Sequence, residues 1–344
     1  MSGAGSAVAG KSPERRAGRG AGGAARRRID WRQARLAYLL LAPSAILLGA
    51  FGLFPLGYAF LLSLRERGSV PGDFVGFANY GAVLGHDPEF WRSLGVTLFY
   101  VLGTVPATLV VGYALADLLY RRLRGQAFYR ALFFVPYIAS PVAAAAIWRW
   151  MYDRDHGLFN AVLARASRGP VGWLDDPTGV VELVGRGLGW HVPSWSGGPS
   201  LALVSIMVVG IWLLAGFAVM VLLAGLSAVP AEVMEAATLD GARGWRLFRN
   251  IKLPLLSPTL FFLVVIFTIR AFQTFTLVYV LSNNNRGGPD GTTETVTLYI
   301  YLAFREYASR GPAYGSAMAI LLFVAILGLT LLQFRVLGRR VYYQ

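Results

Sequence analysis

Residues 235 to 254 read EAATLDGARGWRLFRNIKLP, a charged, glycine-punctuated island between two of the most hydrophobic stretches of the chain. What surrounds the island decides the fold. The 344 residues are 56% hydrophobic and only 15% charged, and the mean hydropathy of +0.53 lies above what a soluble domain with a solvated surface carries. The medium on either side of the island is therefore a lipid bilayer.

About 20 consecutive apolar residues cross the roughly 30 Å hydrocarbon core of a bilayer. Six stretches qualify: Leu36 to Leu64, Ser93 to Ala116, Ala131 to Trp148, Leu201 to Val229, Leu253 to Ser282 and Gly311 to Phe334. Only the fifth is interrupted by a charge, Arg270. A helix is the one open-ended structure that satisfies its own backbone polar groups in lipid, so the expected fold is an all-α integral membrane domain of six transmembrane helices. Pro43, Pro55, Pro106, Pro136 and Pro141 fall inside these spans, where neighbouring helices can re-satisfy the freed backbone groups.

Orientation follows from the Lys and Arg residues between spans. The N-terminal segment through Arg35 holds nine, the 121 to 130 loop four, the island four and the C-terminal tail three. The alternate segments (65 to 92, 149 to 200, 283 to 310) hold eleven against twelve acids. Both termini and the island are thus expected on the cytoplasmic side. The net charge of +14 is an orientation signal and not a sign of a nucleic-acid partner.

Residues 1 to 33, with KSPERRAGRGAGGAARRR, read as a disordered basic tail, since Gly, Ala and Arg without apolar periodicity bury nothing. GSAVAGKS, Gly5 to Ser12, matches a P-loop pattern by letter. Such a loop requires a strand before its glycine turn and a helix after it, and neither fits a segment with four residues ahead of Gly5 and Pro13 behind Ser12. The chain therefore carries no ATP site of its own. It has no Cys, its three histidines (His86, His156, His191) are scattered, and neither H-E-x-x-H nor G-x-S-x-G occurs. It reads as a non-enzyme, with no cofactor and no metal expected.

The segment 230 to 254 then takes shape as helix, glycine turn, helix. Ser227 offers a cap, Pro230 suits a first turn, and Glu232 and Glu235 sit near the positive helix end. Gly241 supplies a permissive turn. A second short helix is expected over Ala242 to Asn250, ending as Pro254 begins the next span. Ala236 and Ala237 leave room for another protein to approach, and Leu239, Trp245 and Phe248 are candidates to fill a groove. An amphipathic interfacial connector explains the same composition.

The spelling separates the two readings. Glu235, Ala236, Ala237, then Gly241, then Ile251, Leu253 and Pro254 match E-A-A-x3-G-x9-I-x-L-P at every defined position, which resembles the signature of bacterial ABC importer permeases. Within that family the chain is similar to the sugar and glycerol-3-phosphate branch. The supporting stretches are LAPSAILLGAFGLFPLGYAFLLSL (41–64), FVGFANYGAVL (74–84), ALFFVPYIASPVAAAAIWRWMYD (131–153) and LLQFRVLGRRVYYQ (331–344). NNNRGGPDG, where the family has Gly-Gly-Gly-Pro, and a long outer insertion at about 152 to 200 depart from it. The likeness covers residues 34 to 344.

The resemblance implies a type I importer permease domain and a division of labour. A soluble extracytoplasmic binding protein delivers the solute, a pair of ATPase subunits supplies energy, and a second permease completes the pathway, most simply as a heterodimer. The island becomes an ATPase-coupling helix, with Glu235, Ala236, Ala237, Leu239, Asp240, Gly241, Trp245, Phe248, Ile251, Leu253 and Pro254 as its residues. A self-contained six-helix channel or intramembrane protein is the alternative function.

For the pathway the chain offers Arg270, with Gln273 and Thr274 about one turn away. A charge in mid-span faces a bundle interior or a wet cavity. Three readings stand: it grips a hydroxyl-rich or phosphorylated solute with its forked donors, it ties helices together through Asp117 or backbone carbonyls, or the helix is shifted so that Arg270 reaches the outer interface. Phe272, Phe275 and Tyr279 are candidates for stacking on a sugar, although aromatics in a span more commonly pack.

Overall fold

The computed structural model describes residues 31–67, 72–121, 124–193, 196–282, 287–305 and 310–338. The tail through residue 30, with its P-loop-like letters, and the last six residues lie outside them. Residues through Pro55 form one compact unit and those from Leu56 a second. The fold is all-α, with no strand among the described residues.

The first unit contains α1 (Trp31–Leu48) and a π-helical turn, Gly49–Leu53. Among the described residues helix is present from Trp31 onward. The chain continues into α2 (Phe54–Ser63), and the whole apolar helical run is Ala34–Ser63.

In the second unit, α3 (Ala78–His86) leads into α4 (Pro88–Tyr120). The start of α4 is written locally: Asp87 accepts from the Phe90 N–H at 3.1 Å, Pro88 occupies the first turn and Glu89 faces the positive end. At about 1.5 Å per residue, its 33 residues make it longer than the hydrocarbon core is thick. Helix α9 (Leu201–Ser227) is capped by Ser200, whose hydroxyl accepts from the Leu203 N–H at 3.0 Å. The last span is α16 (Gly311–Val336).

Two expected spans are broken. The third consists of α5 (Gln126–Ile138) and α6 (Pro141–Met151), meeting at 97°. Pro141 pushes Ser140 into extended backbone (φ −60°, ψ 124°), whereas Pro136 stays inside α5. The fifth consists of α13 (Ser257–Phe272) and α14 (Thr276–Leu281), separated by Gln273 to Phe275. Hydroxyls of Thr295 (3.3 Å) and Thr297 donate to the Thr274 carbonyl, freed by the break. Counting α5 with α6 as one span, and the helical run Gly244–Leu255 with α13 as another, the described residues hold up to six stretches long and apolar enough to cross a membrane.

The core is the packing of α4 on α9, with α5 and α13 beside it. Backbones approach closely: a Cβ on Gly112 would lie 2.5 Å from that of Ala218, and one on Gly216 would strike the Phe133 carbonyl. No side-chain rotation relieves contact with a backbone atom.

The insertion at 152 to 200 folds as α7 (Leu158–Arg165), α8 (Val180–Gly187) and loops around one buried amide. Asn160 donates to Arg154 O (3.0 Å) and Val171 O (2.9 Å) and accepts from the Val171 N–H and the Trp173 indole, both at 3.1 Å. Trp148, Tyr152, Phe159 and Trp173 pack against one another, and the Tyr152 hydroxyl donates to Ser205 O at 3.1 Å, fastening the insertion to α9.

A ten-residue helix, α15 (Val296–Arg305), is too short for a span and packs on α16. Buried Asp87 joins α4 to both, accepting from the Tyr299 hydroxyl (2.7 and 2.8 Å) and the Tyr314 hydroxyl (2.7 Å). Burial, and then the hydrogen bond to Asp87, push the Tyr299 phenol well above its ordinary range.

Candidate functional site

The island begins with α10 (Ala231–Leu239). Ser227 does not cap it: its hydroxyl turns back to Leu223 O at 2.8 Å, the bond a hydroxyl makes to the carbonyl four residues earlier, and Pro230 takes the cap position. The other end closes as a Schellman motif. Gly241, at φ +77°, donates to Thr238 O (3.1 Å), and Ala242 donates to Ala237 O (2.9 Å). A side chain at 241 would meet nothing within 4 Å, so the glycine serves its backbone angle.

The second helix is longer than the expected Ala242 to Asn250. It runs as α11 (Gly244–Leu247), a π turn (Phe248–Lys252) and α12 (Leu253–Leu255). Ile251, Leu253 and Pro254 are thus inside it. Pro254 does not start the next span; the chain bends by 73° near Leu256, and Pro258 sits in the first turn of α13.

On this frame Glu235, Ala236, Asp240 and Gly241 are exposed. Leu239 is 89% exposed, an unusual position for a leucine in a structured helix. Ala237 is buried against its own chain, so only Ala236 of the alanine pair remains on the open face. Trp245 is exposed, whereas Phe248 lies between Trp245 (5.0 Å) and Tyr113 of α4 (4.7 Å) and fills an internal gap.

Lys252, which the sequence presents only as one more positive charge, is buried. Its ammonium donates to Asp117 near the end of α4, and Asp117 also receives Arg121 at 3.4 Å. The island is therefore tied to α4 through charge. The only local signal was Asp117 itself, the single acid late in a long apolar helix.

A cavity of about 460 Å³ lies where the broken third and fifth spans face α4 and α9. Its lining includes Tyr100, Tyr137, Pro141, Arg270, Gln273 and Thr274, so the three pathway candidates converge. Arg270 is not tied to Asp117, which Lys252 and Arg121 already hold. It donates to the Tyr137 hydroxyl at 3.4 Å, with its guanidinium 5.7 Å from that ring, and its side chain stays exposed. Tyr137 is in turn stacked on Phe217 of α9 at 5.0 Å. Tyr100 and Tyr137 are site residues that span-by-span reading misses.

Non-helical backbone at membrane depth persists only where protein covers it or water lines it. Both breaks, Ala139–Ser140 and Gln273–Phe275, fall at this cavity. Of the three aromatic candidates Phe275 lines it, stacked on Tyr279 (5.3 Å) with Tyr301 against both, whereas Phe272 is buried and neither it nor Tyr279 reaches the cavity wall.

The profile of the family described as binding-protein-dependent transport system inner membrane component matches residues 81–342. The trehalose/maltose transport system permease of Thermococcus litoralis is 33% identical over 311 residues, covering 90% of this chain and 96% of that one. An sn-glycerol-3-phosphate transport system permease of Rhizobium meliloti shows the same identity and coverage. The sulfoquinovosyl glycerol transport system permease of Agrobacterium fabrum is 32% identical over 312 residues, 90% and 92% of the two chains. Among solved structures, a chain of the bacterial alginate ABC transporter, in complex with an alginate pentasaccharide-bound periplasmic protein, superposes with a TM-score of 0.70 at 20% identity, covering 89% of this chain and 95% of that one.

Proposed function

This chain belongs to the family of binding-protein-dependent transport system inner membrane components, and from that premise we propose that it forms one half of the membrane pathway of an ATP-driven carbohydrate importer. A second permease forms the other half, a pair of separate ATPase subunits supplies the energy, and an extracytoplasmic binding protein delivers the solute. Both termini and the island lie on the cytoplasmic side, and residues ahead of Trp31 act as a basic orienting tail.

The observation that carries this reading is the coupled geometry of island and cavity. The open face of α10, with Leu239 at its edge and Gly241 closing the turn, is the surface offered to an ATPase subunit. Lys252 binds the island to α4, whose Tyr100 lines the cavity. Movement imposed on the island is transmitted to the helix that walls the pathway. Alternating access follows as rocking of packed helices about the two span breaks.

The solute class follows from the lining. Arg270 offers a fork of donors, and Gln273 and Thr274 add neutral hydrogen-bonding groups. That set suits a polyhydroxyl solute, neutral or with one anionic group, such as a sugar, an oligosaccharide or a glycerol phosphate.

The test is reconstitution of the chain with its co-purifying subunits in proteoliposomes, followed by ATP-dependent uptake of labelled sugars and glycerol phosphates in the presence of the binding protein. Uptake that requires ATP, binding protein and both permeases is the expected result. Passive flux through the chain alone would replace this reading by a channel.

A further inference from the structure

A second cavity, of about 780 Å³, lies between the end of α4, the second helix of the island and α13. Its two ends differ in chemistry. One wall is apolar, formed by Leu109, Val110, Tyr113, Phe248 and Leu260; at the other end stand Asp117, Arg121 and Lys252. Val110 is 69% exposed, so the apolar wall opens sideways from α4. In a chain that lives in a bilayer, the molecules that reach such an opening are lipids.

The polar end has a definite charge. Two cations, Lys252 and Arg121, share the one carboxylate of Asp117, which leaves one positive charge. Lys252 is buried, whereas the Arg121 side chain is 71% exposed and held at 3.4 Å. The arginine therefore presents its remaining donors outward, in the fork geometry that matches a phosphate. Exposed Trp245 lines the same cavity, and Trp is the residue type that settles at headgroup depth.

We propose that this cavity is a binding site for one anionic phospholipid, its phosphodiester on Arg121 and an acyl chain along Val110, Leu109 and Leu260. The residual charge of the cluster matches the single negative charge of a phosphatidylglycerol-type headgroup, and basic pockets between membrane helices are where such headgroups are held. The lipid would wedge the joint between the island and α4. This inference rests only on membrane residence and not on the importer reading, so either stands if the other fails.

The experiment is native mass spectrometry of the full chain transferred from vesicles of phosphatidylglycerol or of phosphatidylcholine. Retained phosphatidylglycerol is expected to exceed phosphatidylcholine by about tenfold. Arg121→Glu should abolish the preference, Arg121→Lys should keep part of it, and Val110→Trp, which narrows the apolar wall from an exposed position, should reduce retention of both lipids. Equal retention of the two lipids by the native chain would overturn the proposal, as would undiminished phosphatidylglycerol on both Arg121→Glu and Val110→Trp. Cross-linking from position 110 to another subunit, with no lipid retained, would assign the groove to a protein interface and overturn it too.

Discussion

Lys252 of the island reaches Asp117 of α4 across 135 positions of sequence, and both side chains are largely shielded from solvent. Removing Asp117 leaves the buried Lys252 ammonium without its carboxylate, at a cost of about 3 kcal/mol, whereas removing Lys252 leaves Asp117 its Arg121 contact and should cost less. Lys252→Ala and Asp117→Ala are each expected to lower thermal stability and to reduce solute moved per ATP hydrolysed. The exchange Lys252→Asp with Asp117→Lys should restore part of that ratio. An unchanged ratio in both single variants would remove the pair from the transmission route.

Gly241 gives a cleaner separation of backbone from contact. Nothing surrounds it, so Gly241→Ala costs about 1 kcal/mol through the left-handed angle alone. Gly241→Val is expected to distort the turn between α10 and α11 and to abolish uptake while the chain still inserts. Normal uptake by a membrane-inserted Gly241→Val chain would count heavily against a coupling role.

Arg270 and Tyr137 differ in kind. Arg270→Gln removes the forked donors facing the cavity and is expected to slow uptake by about tenfold to a hundredfold, with Arg270→Lys restoring little. Tyr137→Phe removes only an orienting hydrogen bond and should cost much less. A fall in melting temperature that accounted for the whole loss in Arg270→Gln would instead mark a structural arginine.

The Asp87, Tyr299 and Tyr314 cluster predicts a pH limb. The Tyr299 phenol is raised above its ordinary value of 10.0 in the folded chain, first by burial and then by Asp87. Above pH 10 the unfolded chain gives up a proton that the folded chain keeps, so stability falls as pH rises. Its contribution is complete below pH 10. Tyr299→Phe should flatten this limb in alkaline thermal denaturation, and an equally steep limb in the variant would refute the assignment.

What was legible in the sequence is what lies close together in it. The island's motif sits within twenty residues, and the spans announce themselves by hydropathy, so family and fold class follow. The break at Pro141 was written in the chain, since proline restricts the residue before it. The break at Gln273 to Phe275 was not, because no Gly or Pro marks it and the hydroxyls that accompany it come from Thr295 and Thr297. Ser227 misled for a related reason: its hydroxyl chose the carbonyl behind it over the helix ahead. The Lys252 to Asp117 pair and the Tyr137 support of Arg270 join distant segments, and no local pattern encodes them. Helix α15 escaped notice because a ten-residue helix falls short of a span.

The contacts of Gly112 and Gly216 have a kinetic counterpart. Helices pressed backbone to backbone open only when they separate as a whole, so amide protons in the middle of α4 and α9 should exchange with deuterium last. Amides flanking Ser140 and Thr274 lack such cover and should exchange early. The time course of deuterium uptake would then divide this chain into a slow block and two fast seams, and the seams would coincide with the wall of the cavity.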